Sequence, residues 1–432
     1  MNSQPTPTVA RRCCAAQIPI APPLRRALSV FSVASCSISF CLLFLLSTTT
    51  ALASDWPNYR GPNHNGVSTE TGWTAQWPAD GPPVLWKTSV GTGFASVSVS
   101  GKRAFTMGNT ADTDTVYCLD TDTGKTLWKY SYPCPLSPSM YEGGPSATPT
   151  VDGDRVYTLS KTGDLFCLTL DSGKVLWKKS LQSDAGVSPP IWGFSCSPLV
   201  DNDLLILDAG DLGLALKKDS GQIAWNSKGG GGSYSSAVPC AVAGAPAVVM
   251  VTASGLAAVN AADGKPIWLF PWKTSYDINA ADAIVLDGAR AFISSGYAHG
   301  DALVHLDTGA VIWEKKSLSN HINASVALDG YVYGPDGNMG SAKFTCVDLA
   351  TGDPKWKYAD ANAGALIIVD TKIIALSDKG ELLIANATPS GFTPLTRAQV
   401  LGGKCWTAPT LANGHLYVRN AKGDLACLNV KK

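Results

Sequence analysis

The sequence predicts an all-β chain folded as an eight-bladed β-propeller, and two regularities carry the prediction. Six tryptophans each follow a glycine by four residues, at Gly124–Trp128, Gly173–Trp177, Gly221–Trp225, Gly264–Trp268, Gly309–Trp313 and Gly352–Trp356. Successive tryptophans are 49, 48, 43, 45 and 43 residues apart, the length of one four-stranded blade. Between the motifs, short runs of alternating apolar residues are separated by Asp-Gly and related turns, the pattern of consecutive hairpins. No stretch after the first 53 residues has a convincing helical period.

Taken in order, residues 1–53 read as an export signal. They contain Arg11, Arg12, Arg25 and Arg26 and no Lys, Asp or Glu, followed by a serine-diluted apolar run, Ala27 to Leu46, and a small-x-small site at Ala51-Leu52-Ala53. That is the order of a secretory leader. A membrane anchor is the alternative, since about 20 apolar residues span a bilayer. The Arg25-Arg26 pair raises twin-arginine export, although Ala27-Leu28-Ser29 fits that signal poorly. Cys41 follows Ile38-Ser39-Phe40, which is not a lipid-attachment site. Cleavage removes four of 34 Lys+Arg and leaves 379 residues with 30 basic and 34 acidic side chains, near −4. Such a balance gives no basis for nucleic-acid or acidic-membrane binding; contact with a membrane would come only through an uncleaved leader.

Residues 54–82 form an N-terminal extension and 83–432 the propeller. Blade two displays the unit: strand Ser146–Val151, turn Asp152-Gly153, strand Arg155–Leu159, strand Asp164–Leu168, turn Asp171-Ser172-Gly173, strand Lys174–Trp177. First strands recur near Ala95–Val99, Ala147–Val151, Ser197–Val200, Ala237–Val242, Ala283–Leu286, Ala324–Leu328, Ala365–Val369 and Thr407–Leu411. The last blade ends after three strands at Leu428; the strand around Pro83–Lys87, bearing Trp86, is expected to supply the fourth and remove the open edges. A seven-bladed ring is the alternative, because blade seven has lost its tryptophan. Trp86, Trp128, Trp177, Trp225, Trp268, Trp313 and Trp356 are read as structural, laid across the neighbouring blade, with each glycine supplying a positive φ at its turn.

Of twelve cysteines, Cys13, Cys14, Cys36 and Cys41 lie in the leader. Cys118, Cys167, Cys346 and Cys427 share one repeat position in separate blades and read as small buried hydrophobes. Cys134, Cys196, Cys240 and Cys405 fall near blade entrances, where one bridge has room to form and none is implied. The pairs Asp112/Asp114 and Asp120/Asp122 lack the glycine and bidentate Glu of a calcium loop and read as blade turns. Gly229–Gly232 reads as a blade connection, since no Lys-Ser/Thr follows.

Asp120-Thr-Asp-Thr-Gly124-Lys-Thr-Leu-Trp128 and Asp348-Leu-Ala-Thr-Gly352-Asp-Pro-Lys-Trp356 resemble the tryptophan-docking repeat of the pyrroloquinoline quinone (PQQ) propellers, over Trp86 to Val430. The resemblance implies one of several roles: quinoprotein alcohol or aldose dehydrogenases with PQQ and calcium, BamB-type assembly lipoproteins acting as protein-binding scaffolds, or exported proteins that share the opening Trp56-Pro-Asn-Tyr-Arg-Gly-Pro62. Segments entering the innermost strands, where ligands meet a propeller, carry Glu142, Trp192, Tyr234, Asp277, Asn320, His321, Asn323, Asn362, Lys404 and Trp406.

The dehydrogenase alternative would use Trp192 and Trp406 as the quinone floor, Lys404 for its carboxylates, Glu142, Asn323 and Asp277 around calcium, and Asp277 as the general base. Against it, the vicinal Cys13-Cys14 leaves with the leader, the blades are compact, and no haem-attachment motif exists. The size is similar to the BamB type, without its lipid-bearing cysteine. The sequence therefore favours an exported, cofactor-free, monomeric scaffold with protein or cell-envelope partners at the funnel; a quinoprotein and a carbohydrate- or peptide-binding propeller are the alternatives.

Overall fold

In a computed structural model of the chain, residues 54–78, 80–229 and 233–432 are described. The expected leader at 1–53 and all but the first glycine of Gly229–Gly232 lie outside the described residues. Four strands, Ser98–Ser100, Arg103–Thr110, Thr113–Asp120 and Thr126–Pro133, pair in sequence order as one antiparallel sheet. The pattern repeats in sheets spanning 150–180, 199–226, 238–271 and 284–315. The sixth and seventh groups share one 16-residue strand, Pro354–Val369: its first half pairs with Lys343–Asp348 and its second half with Lys372–Ser377. The eighth group is Thr410–Ala412, His415–Arg419 and Asp424–Asn429 together with Val84–Ser89 from the other end of the chain, Trp86 lying opposite Cys427. This is the sheet arrangement of a β-propeller.

The glycine-to-tryptophan motif works between sheets. Each docking indole donates its Nε1–H to a carbonyl in the next sheet's turn, from Trp86 to Thr121 through Trp356 to Thr388, at 2.7–3.0 Å. The ring then lies on the glycine of that next motif. A Cβ on Gly173 would come within 2.4 Å of Trp128, and one on Gly264 within 2.4 Å of Trp225. Glycine is required there twice over, for φ near +67 and +69 and for the absence of a side chain under the indole.

A β-bulge turns each tryptophan inward. In every fourth strand one residue before the docking position has no cross-strand partner: Leu127 is skipped between Thr126 and Trp128, and Leu176 between Val175 and Trp177. Such an extra residue bends and twists its strand. Leu127 and Leu176 accordingly face solvent at 50% and 45% exposure, while Trp128 next to Leu127 is 8% exposed and Trp177 next to Leu176 is half-buried. Cys118, Cys167, Cys346 and Cys427 are the cross-strand neighbours of Trp128, Trp177, Trp356 and Trp86. All eight cysteines of the described residues are free.

The N-terminal extension lies across the innermost strands. Trp56, 1% exposed, exchanges two backbone hydrogen bonds with Val99, and the carbonyl of Pro57 accepts from Val151 N–H. Arg60 donates through Nη2 to the carbonyls of Asn65 and Ser325 at 3.0 and 2.7 Å. Val67–Ser68 adds in parallel to Ile368–Val369. Further on, Glu70 accepts from the N–H groups of Asn413 and Gly414.

Candidate functional site

One repeat position, at the entry to each innermost strand, builds the wall of a central cavity. It is occupied by Ser96, Thr148, Ser197, Ser236, Asp282, Asn323, Gly364 and Thr407, of which Ser197, Ser236, Asp282, Asn323 and Thr407 line the cavity. The side chains link the sheets in series. Ser96 N–H donates to Thr148 Oγ1, Thr148 N–H to Ser197 Oγ, Ser197 N–H to Ser236 Oγ and Ser236 N–H to Asp282 Oδ1, at 2.7–3.0 Å. Asn323 continues the series by donating Nδ2–H to the carbonyls of Gly364 and Trp406. At Thr148, Ser197, Ser236 and Asp282 a short polar side chain thereby satisfies a backbone N–H of the preceding sheet that has no ladder partner.

Above this ring the cavity opens to about 390 Å³. Its collar is aromatic: Phe94, Tyr141, Trp192, Tyr234, Tyr297, His321 and Trp406. Phe94 stacks on Trp406 at 6.0 Å and tilts against Tyr141 at 5.7 Å, and Tyr141 meets Trp192 edge-on at 6.0 Å. Tyr141 Oη donates to the Trp192 carbonyl at 3.0 Å, so the rings are held in place. On the other side Tyr297 packs edge-on against His321 at 4.9 Å. Tyr59, from the extension, and Asp282 line the cavity as well as the narrow gaps beneath it, so the extension forms its floor. An open groove of about 630 Å³ also runs between Lys87–Ser89 and Gln399–Gly402. It follows the seam whose donor strand carries Thr396 in place of a docking tryptophan.

Electrostatics set the character of the cavity. Among the described residues its lining contains no Lys or Arg and one carboxylate, Asp282. Burial raises the Asp282 pKa to about 6, against the lowering effects of Arg60 and the Ser236 N–H. Burial also lowers the pKa of His321, whose Nδ1 accepts from Met339 N–H. Asp208, behind the wall, accepts from Ser235 Oγ at 2.7 Å and is raised to about 8 by burial and then by the charge of Asp282.

The residues singled out from sequence fall into three groups. Trp192, Tyr234, His321, Asn323 and Trp406 line the cavity. Glu142 and Lys404 stand beside it as an ion pair at 2.9 Å, with Lys404 Nζ 4.2 Å over the Trp406 ring. Asp277 is exposed on a short 3-10 turn and pairs with Lys273 at 3.4 Å, while Asn320 and Asn362 bond backbone carbonyls outside the lining. Sequence reasoning missed Tyr59, Phe94, Tyr141, Tyr297 and Asp282. Tyr141 and Asp282 each lie beside a segment already read as part of the funnel; Tyr59 lies in a segment with no repeat to place it.

PQQ with calcium makes specific demands: cations for three carboxylates, and several oxygens converging on the metal. Here the lining is anionic at its floor and Lys404 is already paired with Glu142. Asn323 is committed through Nδ2 to two backbone carbonyls, Asp277 is paired with Lys273, and no group of three or more His, Cys, Asp or Glu is placed to hold a metal among the described residues. The residues present do not fit that pair. The Asp-rich turns are likewise occupied: Asp120 Oδ1 accepts from the N–H groups of Asp122 and Thr123, and Asp114 Oδ1 from Asn109 Nδ2.

Residues 112–358 match the sequence family described as outer membrane protein assembly factor BamB. No curated protein matches the sequence. Among solved structures, BamB from Moraxella catarrhalis is similar at 19% identity and a TM-score of 0.58, over 80% of this chain and 98% of that one. Quinohemoprotein alcohol dehydrogenase from Comamonas testosteroni is similar at 13% identity and 0.67, over 87% and 80%. The computationally designed Ika8 protein is similar at 12% identity and 0.60, over 81% and 100%. At these identities the likeness is one of fold.

Proposed function

The chain belongs to the family of outer membrane protein assembly factor BamB, and on that premise we propose that it is an exported, non-catalytic binding scaffold whose funnel receives a protein or cell-envelope partner. We read the ring as eight blades, with Val84–Ser89 completing the last. Supporting the count are eight innermost strands in series and the hydrogen bonds between first and last blades, Ser96 Oγ to the Ala408 carbonyl at 2.8 Å and Thr410 Oγ1 to the Val97 carbonyl at 2.7 Å.

One observation carries the functional reading: the funnel ends in a floor made by the chain's own N-terminal extension, under a collar of rings fixed by their neighbours. A preformed, mostly apolar cavity with a few converging polar groups is what a binding site requires, and fixed aromatic rings contribute large contact area at little entropic cost. Met140 and Ile191, each 85% exposed, extend the apolar surface from the collar to the rim beside Tyr141 and Trp192.

The test compares capture of envelope proteins by the mature chain and by a Trp192→Ala/Trp406→Ala variant. Specific partners should be lost with the variant and kept by Lys355→Ala on an outer strand. Dye-linked oxidation of alcohols or sugars with added PQQ and calcium should stay at background for all three. Stoichiometric calcium-dependent PQQ binding, with turnover abolished by Asp277→Asn, would instead establish the quinoprotein alternative.

A further inference from the structure

The ring of polar side chains around the channel contains one anomaly. At this position the fold asks for a single acceptor oxygen, which Thr148, Ser197 and Ser236 provide with neutral hydroxyls. Asp282 provides it with Oδ1, which accepts from Ser236 N–H at 2.7 Å. Its second oxygen takes no part in linking the sheets. Oδ2 is buried and has no hydrogen-bond partner, and the residue is 7% exposed at the cavity floor. A buried carboxylate oxygen left unpaired costs stability, and a serine would serve the fold without that cost.

The surroundings favour a cation in the cavity near that carboxylate. Arg60 approaches from beneath, but its Nη2 is committed to the carbonyls of Asn65 and Ser325, and no ion pair joins it to Asp282 among the described residues. The collar itself attracts cations, since Lys404 Nζ lies 4.2 Å from the Trp406 ring centre and Lys161 Nζ 4.8 Å from that of Tyr141. Trp192, Tyr234 and Tyr297 carry no such lysine among the described residues and leave the cavity side of the collar to a ligand. Rings around a cation and a carboxylate at its end are the two elements of ammonium recognition.

We propose that the funnel is a binding site for an alkylammonium group: the aromatic collar holds the apolar stem, and the Asp282 carboxylate in the wall beside the floor supplies the negative charge that draws the charged head. A lysine side chain presented by a partner and a free amine share this chemistry. The inference rests on the funnel being the binding face, as in the scaffold reading, and it adds the charge and shape of what enters.

Calorimetric titration of the mature chain at pH 7.5 tests it, with n-butylammonium and N-acetyl-lysine methylamide as probes and 1-pentanol and N-acetyl-norleucine methylamide as uncharged counterparts. Saturable binding of a charged probe, at least about tenfold tighter than its counterpart, is expected. Asp282→Asn keeps the Oδ1 acceptor and should abolish that difference. The better-bound charged probe identifies the source as a peptide or a small amine. Equal binding of charged and uncharged probes in the unaltered chain, no saturation by either charged probe, or a preference that survives Asp282→Asn would overturn the proposal. The two ideas fail separately: loss of ammonium binding with partner capture still dependent on Trp192 and Trp406 removes only this one, and the converse removes only the scaffold.

Discussion

Asp208 is fully buried with Oδ1 unpaired, and burial raises its pKa to about 8. Between about pH 4 and 8 the native state therefore holds a proton that the unfolded chain has released. Stability contributed by the protonated form is lost as the pH rises through this window and does not return above it. Asp282 and Asp301, each raised to about 6 chiefly by burial, add to the lower part of the same window. Asp208→Asn, which faces Ser235, Cys196 and Asp282, should thus stabilise the protein by about 1–3 kcal/mol at pH 8.5 and by little at pH 4. Urea titrations at the two values read this directly; an equal gain at both would assign the effect to packing rather than to charge. Two glycines give a second comparison. Gly153 has φ near +57 and open space around its missing side chain, whereas Gly173 has φ near +67 with Trp128 on top of it. Gly153→Ala should cost about 1 kcal/mol from backbone strain, and Gly173→Ala about 1–3 kcal/mol more from the clash. Equal losses would mean that the indole does not rest on the turn.

At the scale of the blade, the outer strand divides its labour between neighbouring residues. Trp177→Ala should lose roughly 3 kcal/mol, because a half-buried aromatic and its hydrogen bond to the Lys218 carbonyl go together. Leu176→Thr, one residue earlier on the bulge, should change stability by less than about 0.5 kcal/mol, as at other exposed positions. A comparable loss at both sites, measured by thermal unfolding, would remove the bulge as the device that aims the indole. The strands were legible because a Gly turn and a tryptophan mark every repeat, and the cross-sheet role of the tryptophan followed from its size. The bulge was not, because most skipped residues, such as Leu127, Leu176, Ile267 and Ile312, are aliphatic and read as ordinary strand positions beside the tryptophan. The funnel segments could be found by their place before the first strands, which located Trp192, Tyr234 and Trp406. Asp282 escaped notice because Ala281-Asp282-Ala283 looks like a polar residue at a strand entry; only its unpaired oxygen distinguishes it.

For the whole molecule, the two ends of the chain make separable contributions, which truncation can resolve. The extension fills the channel: Trp56 is almost fully buried and Tyr59 lines the cavity floor. The strand that follows, Val84–Ser89, pairs with Asp424–Asn429, and Trp86 reaches from there to the Thr121 carbonyl of the first sheet. A chain beginning at Gly81 loses the floor but keeps this strand. It should run as a monomer and unfold in one transition at a lower temperature than the longer chain, having lost the buried surface of Trp56 and the bonds of Arg60. A chain beginning at Val90 loses the strand as well. The Asp424–Asn429 ladder then presents an unpaired edge, and the first sheet loses the indole that covers Gly124, so self-association and a broadened, multi-step transition are expected. Size-exclusion chromatography of the two truncations separates the cases. If both stay monomeric with a single sharp transition, pairing of the chain ends is dispensable, and the blades must be held together by the remaining tryptophan contacts alone.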